Sequence, residues 1–314
     1  MGVAKTLNWV PGPVPEGPID DAHRTFKAGP VSLVSSLPVY STQHMFARLD
    51  TILAMTRAHV AAARDRVATA ELERRAAAHQ PRGWGAALAR RAPTGPAVIA
   101  EIKKASPSRG IIREVFDSPW LARCYRAGGA TALSVLTDEP YFKGSLRNLE
   151  LASAAVELPC LRKDFMVDEF QILEARAHRA DAILLIAAAL GNAEIQRFAR
   201  AAHGIELDVL VEVHTGEELD RVLDAVGESG VEAIGVNNRD LNTFEVDLET
   251  SMELVDRIPS SVVRVTESGI AGVEALVRLR GAGFDAFLIG ESLMRQPDPG
   301  TALAELLAGA AAAR

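Results

Sequence analysis

Cysteine is scarce in this chain, and no apolar run is long. The 314 residues include only Cys124 and Cys160, too few for a disulfide framework and without the spacing of a zinc site. Both lie in apolar surroundings, and we interpret them as core residues. No apolar run approaches the roughly 18 residues that cross a membrane, and the amino terminus does not have the form of a secretory signal. We therefore expect a cytoplasmic protein in a reducing compartment, without a membrane partner.

An excess of basic residues is also missing. The formal net charge is -7 at pH 7, which argues against nucleic acid as the main partner. This sum does not exclude an anionic substrate, because the local charge inside a cleft outweighs the charge of the whole chain. The chain is 48% apolar and 24% charged, an ordinary composition for a protein that buries a large core.

Residues 1–44 show neither a helical nor a strand period. Six of the chain's 16 prolines precede residue 39, so we expect a flexible, proline-rich extension. Two interpretations stay open: a dispensable arm, or a start site assigned too early, since regular patterning begins at Met45. Sequencing the amino terminus of the native protein would separate them.

Residues 45–314 are predicted to form one α/β domain. A helical period covers 46–78, and a short helix is expected at 84–91. Eight apolar strands follow, separated by segments with helical character. They are predicted at 97–102, 131–136, 159–163, 181–187, 208–214, 232–237, 262–266 and 285–289. This alternation favours a (β/α)₈ TIM barrel, with residues 45–96 as leading helices, over a doubly wound sheet. No GxGxxG follows the first strand, which removes the main sign of a dinucleotide fold.

The first strand carries charge at its far end. Its sequence, VIAEIKKASPSRG (98–110), is apolar up to Glu101 and Lys103, which are two residues apart and so share a face. A carboxylate and an ammonium at the end of a buried apolar strand cost free energy of desolvation unless they form an ion pair or serve a functional site. The loop that follows, which includes Ser106, offers hydroxyl groups and backbone amides to an anion.

The other strand ends are polar as well, and in a barrel they meet at one mouth. Taken singly, Glu291 or Asp164 would be interpreted as part of a structural ion pair; taken together, so many charges indicate a functional site. Glu212 and His214 share a face, but two lysines in the same mouth would repel a cation, so we predict no metal. His214 is interpreted as lying behind the site or at the surface. The candidate residues after the first strand are Lys163, Phe165, Glu212, Asn237, Arg239, Leu241, Glu267, Ser268, Gly290, Glu291 and Ser292.

Glycines follow the seventh and eighth strands. Gly269 and Gly290 each expose backbone N–H groups at the start of a helical turn. The loops after these two strands are the usual phosphate site of barrels, and glycine permits the close approach that a phosphate needs. The pair, in this order, indicates a phosphate site.

From about Met45 onward the chain resembles indole-3-glycerol phosphate synthase, the barrel enzyme of tryptophan biosynthesis. The leading segment LDTIL (49–53) is also similar to the helix that packs over the barrel in that family. The matching motifs are AEIKKASPSRG (100–110), LRKDF (161–165), LVEVH (210–214), GVNNRDL (235–241), TESGI (266–270) and LIGESLM (288–294). Where the family often has serine after the last strand's glycine, this chain has Glu291. Because the backbone would bind the phosphate, we expect a small effect, although a side chain turned inward there would repel phosphate.

The resemblance implies a reaction and a role for each matching residue. The substrate would be 1-(2-carboxyphenylamino)-1-deoxyribulose 5-phosphate, an anionic phosphosugar, converted without a cofactor by ring closure, decarboxylation and dehydration. Lys163 would be the acid of ring closure and Glu212 the base of dehydration. Glu101 and Asn237 would orient substrate and protons. Lys103 would bind anionic groups or expel the hydroxyl. The remaining residues line the site or hold the phosphate, and other enzymes of the tryptophan pathway are candidate partners.

Rival hypotheses are another phosphosugar barrel, such as phosphoribosylanthranilate isomerase, an epimerase or an aldolase, and a barrel that binds a phosphorylated ligand without catalysis. A Schiff-base aldolase would use a lysine as nucleophile, which borohydride would trap. The isomerase needs a working cysteine and aspartate, and neither Cys124 nor Cys160 ends a strand. A binding barrel would not need both Lys163 and Glu212.

Overall fold

The computed structural model describes residues 49–227, 230–241 and 243–313. Within these ranges, eight parallel strands close into a barrel, each paired with its neighbours in chain order. The strands are β1 (Ala97–Ile102), β2 (Ala132–Leu136), β3 (Cys160–Lys163), β4 (Ala182–Ile186), β5 (Asp208–Val213), β6 (Ala233–Asn237), β7 (Val263–Glu267) and β8 (Ala286–Ile289). Ala286 of β8 pairs with Ala97 of β1 and closes the ring. The predicted barrel is confirmed, and every predicted strand end falls within one residue of the observed one.

Helices precede the barrel and alternate with its strands. The bounds are α1 (Leu49–Arg66), α2 (Thr69–Ala77), α3 (Trp84–Arg91), α4 (Ser118–Ala127), α5 (Leu146–Ala155), α6 (Glu169–Ala177), α7 (Asn192–Gly204), α8 (Gly216–Val226), α9 (Glu249–Leu254), α10 (Val273–Gly281), α11 (Glu291–Met294) and α12 (Pro299–Ala312). A small antiparallel hairpin, Ala105–Ser106 with Gly110–Ile111, follows β1. The extension predicted for residues 1–44 lies outside the described residues. Among the described helices, none combines the length and apolarity needed to cross a membrane.

The helical span predicted over 46–78 is divided in two. The chain leaves α1 at Val67, and Ala68 adopts an extended backbone before α2 begins. The break lets α2 lie against α6, where Leu72 and Ala76 are buried with Phe170. A period of 3.6 residues continues across such a break, so the amphipathic pattern alone does not reveal it.

The short helix predicted at 84–91 is α3, and it closes the amino-terminal end of the barrel. Trp84 and Leu88 are fully buried in the cluster that fills the barrel interior. The residues around them at the starts of the strands are small: Ala97, Ala132, Ala182, Ala233 and Ala286. These alanines leave room for the indole ring, since a barrel interior must be filled by side chains.

Side chains cap several helices where the chain turns back from a strand. Asp117, Ser145, Asp168, Thr215 and Asp298 each accept a hydrogen bond from a backbone N–H in the first turn of the helix that follows. Each cap satisfies a donor that the helix itself leaves unpaired. The caps set the helix starts and therefore the lengths of the loops at the carboxyl ends of the strands. Those loops surround the candidate site.

Candidate active site

A cavity of about 420 Å³ opens at the carboxyl ends of the barrel strands. All of the residues predicted from the sequence line it, although they are spread over almost two hundred positions. They are Glu101, Lys103, Ser106, Lys163, Phe165, Glu212, Asn237, Arg239, Leu241, Glu267, Ser268, Gly269, Gly290, Glu291 and Ser292. The structure thus brings the predicted set together in one place.

Lys163 lies at the centre of the charged groups. Its Nζ is 2.8 Å from Glu212 Oε2 and 3.0 Å from Glu267 Oε2. Both carboxylates are buried, and the lysine side chain is 14% exposed. Burial would lower the pKa of Lys163, but the two carboxylates raise it above its usual value. The ammonium is therefore charged at neutral pH.

The two carboxylates are held in different states. Burial would raise the pKa of Glu212, but Lys163 and His214 overcome that effect and hold its pKa well below the usual range. Burial raises the pKa of Glu267 to about 7, with Lys163 opposing and the Glu212 charge reinforcing the shift. Glu267 Oε1 has no hydrogen-bond partner among the described residues. One carboxylate is thus ionised at neutral pH while the other is poised to titrate.

Glu101 and Lys103 form an ion pair at the end of β1, as their shared face predicts. Lys103 Nζ is 2.5 Å from Glu101 Oε1, and the carboxylate is almost completely buried. The main chain of Glu101 is fixed as well, because its carbonyl oxygen accepts a hydrogen bond from the buried Tyr125 hydroxyl. The pair contributes an acid and an ammonium to the mouth.

Asn237 connects three adjacent strands. Its Nδ2 donates to Glu212 Oε1 at 3.2 Å, and its Oδ1 accepts from Ser268 Oγ at 2.8 Å. The same Oδ1 accepts from the backbone N–H of Arg239 at 3.1 Å. Both ends of the amide are therefore used, which fixes its orientation and links β5, β6 and β7 around Glu212.

The turn after β7 has an unusual backbone. Ser268 and Gly269 follow one another with φ of 65° and 81°, both in the left-handed region. A Cβ at Gly269 would approach side-chain atoms of Leu248 and Val246 to 2.8 Å, so glycine is needed there for space as well as for conformation. Consecutive residues in such turns can direct backbone N–H groups toward an anion.

The turn after β8 is tied to the turn after β7. Ser292 Oγ donates to the carbonyl oxygen of Ile270 at 3.0 Å. The carboxylate of Glu291 faces three arginines: Arg295 at 3.0 Å, Arg109 at 3.3 Å and Arg239 at 3.8 Å. Glu291 thus takes part in ion pairs and also lines the cavity.

Asp164 and His214 were discussed in the sequence apart from the candidate site residues, and the structure shows the contacts of both. Asp164 forms a buried ion pair with Arg162 at 2.9 Å and accepts from Thr137 at 2.6 Å, in agreement with a structural role. His214 is not at the surface; it lies behind the site, between Glu212 and Glu218. Among residues 49–227, 230–241 and 243–313, no group of three or more His, Cys, Asp or Glu is arranged to hold a metal ion.

Several cavity residues were not among the candidates. Leu49 and Ile52 reach the mouth from α1, and Asp138 from the end of β2. Arg109 lies in the loop that the sequence marked as anion-binding, and Arg295 is four residues after Glu291. A charge complementary to Glu291 at this helical spacing was the available signal for Arg295. For α1 the available signal was the resemblance of LDTIL (49–53) to the family's helix that packs over the barrel.

These observations define the class of protein. It is a (β/α)₈ barrel enzyme with an ammonium between two carboxylates in a cavity at the carboxyl ends of the strands. The class alone does not identify the reaction, since many chemistries share this barrel.

Comparison with known proteins identifies the family. A family model described as indole-3-glycerol phosphate synthase matches residues 49–306. The indole-3-glycerol phosphate synthase of Koribacter versatilis (strain Ellin345) is 52% identical over 263 residues, covering 84% of this chain and 100% of the relative. That of Burkholderia vietnamiensis is 48% identical over 259 residues, covering 82% and 98%. The chain belongs to the indole-3-glycerol phosphate synthase family. The predicted activity, a carboxy-lyase of tryptophan biosynthesis acting on a phosphorylated small molecule, is confirmed at this level.

Solved structures with lower identity support the fold alone. KGPDC from Streptococcus mutans matches with a TM-score of 0.52 and 13% identity, over 69% of this chain and 98% of that one. Thiamine phosphate pyrophosphorylase from Pyrococcus furiosus matches with a TM-score of 0.51 and 16% identity, over 69% and 96%.

Proposed function

We propose that Lys163 and Glu212 are the acid and the base of indole-3-glycerol phosphate formation. In ring closure the aromatic carbon that bears the carboxylate attacks the ribulose carbonyl, whose oxygen takes a proton from Lys163. Carbon dioxide then leaves from that carbon. In dehydration Glu212 removes a proton, while the hydroxyl takes a proton from an ammonium group, for which Lys103 is one candidate, and departs as water. The observation that carries the proposal is the Lys163 ammonium held between two buried carboxylates on the cavity wall.

The protonation states support these roles. A lysine that is protonated before the substrate binds can donate to a developing alkoxide, and a carboxylate that is ionised can accept a proton. A Schiff-base mechanism would need a neutral amine at Lys163, which the raised pKa of that group opposes. This argues for general-acid chemistry over an aldolase reaction.

The surroundings of the acid and base suit an anionic aromatic substrate. Phe142 and Phe165 lie with ring centroids 6.3 Å apart, tilted by 44°, and offer an apolar wall to the anthranilate ring together with Leu241. Backbone groups of Gly269 and Gly290 bind the phosphate. Ser106, Arg239, Glu267 and Ser268 contact the rest of the substrate, beside the phosphate-loop residues Glu291 and Ser292.

The remaining charged groups have supporting roles. Glu101 and Asn237 orient the substrate and guide protons, since each is adjacent to a proposed acid or base. Lys103 binds an anionic group of the substrate or is the acid that expels the hydroxyl. Both alternatives place its ammonium against the substrate. A Lys103→Met variant that binds the substrate normally but turns it over slowly would favour the second.

The experiment is turnover by Lys163→Ala, followed through indole fluorescence with 1-(2-carboxyphenylamino)-1-deoxyribulose 5-phosphate. We expect a loss on the order of 10³-fold or more in kcat, with the fold retained, because the alkoxide loses its proton donor. Lys104→Ala is the matched control: this lysine, next to Lys103 in the loop after β1, does not line the cavity, and its variant should keep wild-type turnover. Near-wild-type turnover by Lys163→Ala would remove Lys163 from the mechanism.

A further inference from the structure

The two carboxylates beside Lys163 share that ammonium but differ in their other neighbours. Lys163 Nζ is at almost the same distance from both, 2.8 Å from Glu212 and 3.0 Å from Glu267. The ammonium therefore does not distinguish them. His214 does, because its Nε2 is 3.4 Å from Glu212 Oε1 and it forms no ion pair with Glu267. The imidazole is thus the positive charge that favours Glu212 over Glu267. It acts beside the neutral Asn237 amide, which donates to Glu212, and beside the Glu101 charge, which raises the pKa of Glu267.

His214 is held in place from its other side. Its Nδ1 is 3.3 Å from Glu218 Oε2, and its backbone N–H donates to the same oxygen at 2.6 Å. Glu218 is itself fixed in the first turn of α8, where its backbone N–H donates to Thr215 Oγ1 at 3.2 Å. The imidazole is 11% exposed. It is thus enclosed between two carboxylates, each of which favours its charged form.

His214 does not line the cavity, so an effect on catalysis must pass through Glu212. We propose that His214, anchored by Glu218, is a positioning residue that keeps Glu212 as the ionised base and leaves Glu267 as the group that titrates. This inference rests on the proposed role of Glu212. It assigns a function to a histidine that contacts neither the substrate cavity nor Lys163.

Glu212 and His214 each have several charged neighbours. Glu212 is faced by Lys163 from β3, by Glu267 from β7 and by His214, with the uncharged Asn237 amide from β6. His214 is faced by Glu212 and Glu218, and Arg221 lies near Glu218. Burial would lower the pKa of His214, but the two carboxylates raise it to about 10. An imidazolium at neutral pH agrees with the low pKa of Glu212 and with the value of about 7 for Glu267.

The test is the pH dependence of kcat at saturating substrate for His214→Asn, a neutral side chain whose amide can replace Nδ1 toward Glu218 but does not reach Glu212. Removing a positive charge raises the pKa of Glu212, so the acid limb that reports loss of the base moves to higher pH. We expect a shift of about 1 to 3 pH units, with KM changed by no more than about two-fold because the cavity lining is intact. The same measurement on the double variant with Glu267→Gln shows which carboxylate the acid limb reports, because position 267 then carries no titratable group.

Glu218→Gln is the second variant and does not depend on His214→Asn being stable. It keeps the imidazole but removes the charge that anchors it, so the acid limb should move in the same direction by a smaller amount. Melting temperatures of both variants separate a folding defect from a catalytic one. An equal fall in kcat at every pH, with the limb unmoved, would show a merely structural role and overturn the inference.

Glu212→Gln keeps the two proposals apart. If that variant turns over like the wild type, the proposed base is wrong and the role of His214 falls with it. If it is inactive while the limb of His214→Asn stays in place, only the inference about His214 is lost.

Discussion

Gly290 lies directly against the carboxylate of Glu101. Gly290 directly follows β8, and Glu101 lies on the neighbouring strand β1; the ladder between these strands pairs Ala100 with Ile289. A Cβ at position 290 would collide with Glu101 Oε1 and come within 3.0 Å of Glu101 Cβ. The backbone of Gly290 is not left-handed, with φ of -125°, so its need for glycine is a need for space. The glycine that we propose to bind phosphate therefore also sets the position of an acid in the site.

Gly290→Ala should consequently damage catalysis more than stability. The added methyl group displaces the Glu101 carboxylate and disturbs its ion pair with Lys103. We expect kcat/KM to fall by about 10- to 100-fold, the usual cost of a misplaced group in an active site. Gly272→Ala, in the loop after β7, is the control, because a Cβ there meets nothing within 4 Å. If both variants behave alike in steady-state assays, the contact with Glu101 is not important.

Glu267 makes stability depend on pH. The pKa of this carboxyl is raised from 4.5 to about 7 on folding, first by burial. Between these values the folded chain holds a proton that the unfolded chain has released, so its stabilising contribution is present below about pH 4.5 and lost as pH rises through about 7. We expect the loss to be on the order of 1 to 3 kcal/mol.

Glu267→Gln removes this titration from both the folded and the unfolded chain. The difference in free energy of unfolding between variant and wild type, measured in urea from pH 5 to pH 8, should move in favour of the variant as pH rises. Parallel curves would show that Glu267 has the same pKa in both states.

Asp181 organises the opposite end of the barrel. Its fully buried carboxylate accepts from the backbone N–H groups of Cys160 and Arg82 at 2.6 and 2.8 Å, and Arg82 Nε adds a bond at 3.0 Å. His79 Nε2 lies 3.2 Å away. Removing one partner of such a network leaves buried groups unpaired. Asp181→Ala should therefore cost about 3 to 5 kcal/mol in urea unfolding, while kcat per folded molecule stays at the wild-type value. A cost below about 1 kcal/mol, the size of a surface ion pair, would contradict this role.

The alternation of side chains between the two faces of a strand was enough to predict much of the candidate site. Glu101 and Lys103 alternate with apolar residues on β1, and Glu212 interrupts an apolar run on β5. Parallel strands in a barrel end at one rim, so residues at the ends of different strands are predicted to lie close together. The strand bounds were equally predictable, since buried parallel strands are short apolar runs between polar loops.

Tertiary partners were not predictable in the same way. Arg82 lies between the helical spans predicted at 46–78 and 84–91, and nothing local indicates that it binds Asp181, almost one hundred residues later. The break between α1 and α2, and the arrival of α1 at the mouth, depend on packing against α6 rather than on local pattern. The sequence left His214 either behind the site or at the surface, and only its contact with Glu218 on the next helix decides for the first position.

Glu291 is the residue whose position in the cavity raised the question of phosphate repulsion. Its carboxylate accepts two hydrogen bonds from Arg295, at 3.1 and 3.0 Å. Arg109 and Arg239 approach it at 3.3 and 3.8 Å. The negative charge is thus compensated in the free enzyme, and at the same time it neutralises part of the positive charge available to the substrate.

Glu291→Gln should therefore tighten substrate binding. The amide can still accept from Arg295, while three guanidinium groups lose their opposing charge and attract the phosphosugar more strongly. We expect KM to fall by about 3- to 10-fold at low ionic strength and the difference from the wild type to shrink in about 1 M salt, because these groups are partly exposed to screening. An Arg295→Gln variant should change KM in the opposite direction, since it frees the Glu291 carboxylate. An unchanged or raised KM in Glu291→Gln would mean instead that the carboxylate holds Arg109 and Arg239 in their binding positions.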